Sequence, residues 1–90
     1  MGFTRLAPQV VEHADGYRVF IADRYHLAYE ERSRTAWVAA DLDGAVVRLE
    51  RATLRWVAPE ESEPTAQESE LILASIEAGM AAMGDRIQSV

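Results

Sequence analysis

The chain has 90 residues and a formal net charge of −6, a length that makes one domain able to fold alone but with little surplus stability. The acidic balance repels phosphate backbones and argues against nucleic-acid binding, and the absence of cysteine excludes disulfide staples and thiolate metal sites. Residues 1–6 lack the apolar run of an export signal and no stretch reaches membrane-spanning length, so the expectation is a cytoplasmic protein that does not act at a membrane.

Residues 1–8 carry no strong signal and are expected to be loose. Val10 to Ala14 suits a short strand, and Asp15-Gly16 after it is a hairpin turn, because glycine accepts the positive φ that such turns need. Tyr17 to Ala22 then alternates Tyr17, Val19 and Ile21 against Arg18, Phe20 and Ala22. Past Asp23-Arg24, Tyr25 to Glu30 alternates Tyr25, Leu27 and Tyr29 against His26, Ala28 and Glu30. Glu31-Arg32-Ser33 is a polar turn. Arg34 to Ala40 is apolar on both faces, Trp37 and Ala39 opposing Ala36, Val38 and Ala40. Asp41-Leu42-Asp43-Gly44 is a second hairpin turn. Ala45 to Glu50 follows with Ala45, Val47 and Leu49 inward, and Leu54 and Trp56 suggest one more short extended piece before Pro59.

Residues 58–64 form an acidic connector containing Glu60, Glu61 and Glu63. Residues 65–84 read as a helix. Thr65 and Glu68 have capping-box spacing, and Ile72, Ile76, Met80, Met83 and Ile87 recur at helical intervals, with Leu73 widening the stripe. Gly84 suits the position just past the helix end, leaving residues 85–90 as a tail in which Ile87 and Val90 can pack back. The predicted fold is therefore α+β: a four- or five-stranded antiparallel meander over 9–57, then one C-terminal helix packed on one face.

A helix about 10 Å across covers two or three strands spaced about 4.8 Å apart, fewer than this meander supplies. The remaining apolar face needs curvature, a second copy or another protein; alanines on an outer face, Ala36 and Ala40, are also tolerable when exposed. A homodimer is expected, formed by the outer face of the Trp37 strand or by the small residues around Gly79, namely Ala74, Ala78, Ala81 and Ala82. The same small residues also suit close packing on the chain's own sheet.

No catalytic constellation is apparent, and the chain is not expected to be an enzyme. His13 and His26 match no metal-ligand spacing, the serines lie in no nucleophile context, and there is no glycine-rich phosphate loop, so neither cofactor nor metal is expected. Glu60, Glu61, Glu63, Glu70 and Glu77 crowd the later part of the chain and offer an acidic edge to a basic protein, although they read equally as a solvated connector and helix face. Tyr29 and Trp56, if exposed, supply aromatic anchors for the same partner.

Tyr29-Glu30-Glu31-Arg32-Ser33-Arg34, then Leu54-Arg55-Trp56, Pro59 and Glu63-Pro64, and the helix with Ile72-Leu73, Ile76, Met80 and Gly84 form a pattern spanning Tyr25 to Gly84. It resembles a family of predicted immunity proteins of bacterial polymorphic-toxin systems, the group numbered seventy-four. Glu31-Arg32-Ser33 stands where that family is richer in glycine, and Glu60 where it has histidine. The resemblance implies a sheet-plus-helix domain that binds and inhibits a cognate toxin domain. The alternative is a self-associating accessory domain without a toxin partner.

Overall fold

The structure, a computed structural model, describes residues 2–42, 44 and 46–89. It is α+β, with strands β1 (Phe3–Ala7), β2 (Val10–His13), β3 (Tyr17–Asp23), β4 (His26–Glu31), β5 (Arg34–Asp41) and β6 (Val46–Ala58), helix α1 (Ala66–Ala82), and strand β7 (Arg86–Ser89). All seven strands join one curled sheet in chain order. The first six form the antiparallel meander, and β7 returns after the helix to lie parallel to β6, pairing Val46 with Arg86 and Leu49 with Ser89.

Seven strands replace the expected four or five, because the segments before and after the expected sheet also form strands. The segment expected to be loose is β1, whose Phe3 packs on the core and whose backbone pairs with β2. The tail is β7, with Ile87 against the core. Leu54 and Trp56 belong to the same long strand as Val47 and Leu49 rather than to a separate piece. Asp43 of the second expected turn, Ala45, and Val90 of the tail lie outside the described residues.

The continuity of β6 depends on one hydroxyl. Trp37 pairs with Arg55 and Ala39 with Glu50, so Val38 alone opposes Arg51 to Leu54. Thr53 Oγ1 closes the resulting gap, accepting from the Ala39 N–H at 2.8 Å and donating to the Glu50 carbonyl at 2.7 Å. A side chain thus replaces the ladder bonds that the bulge removes.

The tight turns follow residue chemistry. Gly16 takes φ 102° between β2 and β3. Between β3 and β4 the Asp23 carboxylate accepts from the Tyr25 N–H at 2.8 Å, which, ahead of its bond to His26, holds its pKa below the usual range. Arg32 turns β4 into β5 in the left-handed region at φ 48°.

Helix α1 forms as its sequence indicates. Thr65 Oγ1 accepts from the Glu68 N–H at 3.1 Å, and Glu68 Oε1 accepts from the Thr65 N–H at 2.9 Å. At the other end Gly84, at φ 93°, donates to the Ala81 carbonyl, and Asp85 donates to that of Met80, a Schellman closure. The buried face of the helix, Ile72, Leu73, Ile76, Gly79 and Met80, fills the concave side of the sheet against Val11, Val19, Leu27, Val38 and Leu49. Burial on this scale, about 25 cal/mol per Å² of apolar surface, drives the fold.

One expectation about faces is corrected here, and of the two readings of Gly79 close packing on the chain's own sheet holds. Ala36 and Ala40 point inward with Val38, all three being buried, so the outer face of β5 carries Trp37 and Ala39 instead. Gly79 is also internal: a Cβ built on it meets Val19 Cβ at 2.6 Å, so its smallness admits β3 rather than a second chain.

Candidate interaction surfaces

Strand alternation sends the neighbours of the core residues to the convex side of the sheet. There the register places Val10 opposite Phe20, Phe20 opposite Ala28, Ala28 opposite Trp37, and Trp37 opposite Arg55. These pairs make an apolar row across β2 to β6. Ala28 is covered, whereas Val10, Phe20 and Trp37 are half-buried with no helix over them. The His26 ring leans on Trp37 at 5.1 Å between centroids, and its Nδ1 lies 2.9 Å from Asp23 Oδ1. Beside the row runs a charged one, in which Arg18 sits 3.2 Å from Glu12 and 3.8 Å from Glu30. The convex face is therefore an aromatic band with a polar margin, the composition typical of interface cores and rims. Its signal was present in the sequence as the outer set Phe20, Ala28 and Trp37, but only the register aligns them.

The residues expected to bind a partner are distributed differently. Tyr29 and Trp56 are buried, 3% and 2% exposed, and so are not surface anchors. Both were on the inward parity of their strands, and the concave layer needed their bulk. Glu60, Glu61, Glu63 and Glu70 are exposed and Glu77 is half-buried. Glu63 lines a groove of about 530 Å³ with Arg51 and Arg55, where opposite charges meet. The connector that carries Glu60 and Glu61 is tied down by reciprocal backbone bonds between Trp56 and Ser62, at 2.9 and 3.1 Å.

A chain of aromatic rings crosses one end of the concave layer. Phe3 meets His13 and Tyr17 edge-on, His13 stacks on Tyr17 at 4.7 Å, Tyr17 reaches Tyr29 at 5.3 Å, and Tyr29 reaches Trp56 at 6.5 Å. At its far end the Arg34 guanidinium lies 3.6 Å from the Trp56 ring centroid and 3.4 Å from Glu68 Oε2. Glu68 Oε1 also accepts from Trp56 Nε1 at 3.4 Å. The bonds from Thr65 N–H and then Trp56, followed by the nearby Arg34 charge, lower the Glu68 pKa. A lowered folded-state pKa contributes stability above the unfolded value and loses it as pH falls through the folded one. Glu68→Ala is accordingly expected to lower the thermal midpoint more at pH 7 than at pH 3. Paired melts at the two pH values check this.

At the near end Tyr29, Tyr17 and Glu31 wall a cleft of about 360 Å³ between the β2–β3 turn, the β4–β5 turn and α1. The Tyr29 hydroxyl donates to Glu31 Oε1 at 2.6 Å, and burial, then this bond to a carboxylate, raises the phenol pKa well above its usual value. No group of three or more His, Asp or Glu side chains is placed to hold a metal ion among the described residues. No helix there is long and apolar enough to cross a membrane. Comparison with protein-family models, with curated proteins and with solved structures found no match.

Proposed function

We propose that this chain is a protein-binding module that neutralises a cognate bacterial toxin domain in the cytoplasm, in the manner of an immunity protein. The observation that carries the binding part is the uncovered aromatic row from Val10 through Phe20 and Trp37 to Arg55. A contiguous apolar band of this kind usually has a partner, and half-buried aromatics inside a polar margin are where binding energy concentrates. The exposed carboxylates of Glu60, Glu61 and Glu70 support a basic partner, whose approach they steer. The pattern from Tyr29 to Gly84 that resembles the immunity family supports a toxin as the class of partner.

The test is whether the neighbouring gene encodes a secreted protein with a toxic C-terminal domain and whether co-expression of this chain protects cells from that domain. Growth is expected to be rescued, and Trp37→Ser, folded but lacking its ring, is expected to lose the rescue by weakening binding at least tenfold. Failure of soluble wild-type protein to rescue overturns the toxin reading.

A second reading is favoured by the same row: because it crosses the sheet transversely, a two-fold axis lays Phe20 and Trp37 against their own copies. Light scattering at micromolar concentration then gives a dimer that Trp37→Ser dissociates, and a wild-type monomer rejects this reading.

A further inference from the structure

His26 stands on the convex side of β4, beside the apolar row and against the Trp37 ring. Its Nδ1 lies 2.9 Å from Asp23 Oδ1 and 3.2 Å from Oδ2. The Tyr25 N–H holds the same carboxylate, and that bond, ahead of the one to His26, favours its ionised form. An ionised carboxylate only accepts, so the ring hydrogen lies on Nδ1 and the neutral imidazole keeps its lone pair on Nε2. His26 makes no hydrogen bond beyond those to Asp23 among the described residues. No enclosed side-chain nitrogen there is left without a partner, so Nε2 meets solvent.

The neighbouring polar groups are spent within the chain. Arg18 is answered by Glu12 and Glu30, and Asp23 by His26 itself. Nε2 is therefore an open acceptor at the side of an aromatic surface made by Phe20 and Trp37. A group that completes this site brings both a ring and a donor, and a phenol does so: its body packs on apolar surface while its O–H reaches an acceptor. A carboxylate brings no donor and meets the Asp23 charge behind the imidazole. We propose that His26 Nε2 is the polar anchor of the convex face, accepting from the hydroxyl of a partner tyrosine whose ring packs on Trp37, with Asp23 as the positioning residue. This rests on the reading of the chain as a protein-binding module and names one contact of that face.

The test uses the full chain with His26 neutral, N-acetyl-tyrosine methylamide as probe and its O-methyl ether, which cannot donate, as comparison. Before any probe is added, imidazole nitrogen resonances are expected to place the His26 proton on Nδ1, and Asp23→Ala is expected to move it to Nε2. The tyrosine probe is expected to shift the His26 Nε2 and Trp37 Nε1 resonances saturably. The ether is expected to bind about threefold to tenfold more weakly, the effect of one uncharged hydrogen bond. His26→Ala should bind the two probes alike. A proton on Nε2 in the wild-type chain, equal binding of the two probes by that chain, or no saturable shift at His26 and Trp37 overturns the assignment. Rescue from a toxin without a preference for the tyrosine probe removes the anchor and keeps the module; the preference without rescue keeps the anchor and removes the toxin.

Discussion

Val38→Asp is expected to yield no cooperatively folded protein, while Trp37→Ser, one residue earlier, keeps the fold. Val38 is fully buried between Leu27 on β4 and the helix side of the sheet. An aspartate there sits among Leu27, Leu49 and the apolar face of the helix, and burying an unpaired carboxylate costs several kcal/mol besides the lost valine contacts. That approaches the whole stability of a small domain, about 5 kcal/mol at the low end of the usual range. Trp37 is half-buried on the other face, and its loss is expected to cost about 1 kcal/mol. Urea unfolding followed by circular dichroism separates the two; equal loss of structure in both variants refutes the assignment of faces.

The second large effect concerns Gly79. A helical glycine replaced by alanine ordinarily gains about 1 kcal/mol, but here the new methyl meets Val19 Cβ, Cγ2 and Cγ1 at 2.6, 2.8 and 2.9 Å. These are branch-point atoms on a central strand and cannot swing away. Gly79→Ala is therefore expected to be net destabilising by about 1–2 kcal/mol, the overpacking term exceeding the propensity term. Val19→Ala removes Cγ1 and Cγ2 and leaves Cβ, which relieves part of the obstruction, so the double variant should be less destabilised than the two single losses added, by about 1 kcal/mol. Strict additivity in denaturant midpoints shows that the helix does not lie this close to β3.

These two positions also show what the sequence could and could not disclose. The alternating sets of Tyr17 to Ala22 and of Leu27 to Glu30 were legible from their period of two, while which set faces the core emerges only in the sheet, where Ala28 of the opposite set is also buried and Tyr25 is exposed. Arg34 to Ala40 is apolar on both sides, so its parity carried no information. Its direction is fixed by pairing Val38 with Leu27, a long-range fact. Local chemistry was sufficient at the helix, where Thr65, Glu68 and Gly84 act through bonds a few residues long. It was insufficient for β1, whose Thr4 to Ala7 are all exposed and show no period, and for β7, which gains its partner only after the chain has crossed by way of the helix. Thr53 was invisible for the same reason: its hydroxyl matters only once Ala39 lies beside it. The aromatic row and the cleft are both products of register and of turns brought together, so neither is written in any single segment.

The placement of α1 after all six meander strands has a consequence for synthesis. The strands leave the ribosome first, displaying Val11, Val19, Leu27, Val38 and Leu49 on a concave face, while the Ile72–Met80 surface that covers them is still being made. At about 5–20 residues per second, the intervening segment takes a few seconds to appear. Throughout that interval the meander has an uncovered apolar side and a bare β6 edge, the two features that recruit stray strands. Arg48, Arg51 and Arg55 are exposed on that edge strand, and charged side chains of this kind are what natural sheets use to blunt an open edge.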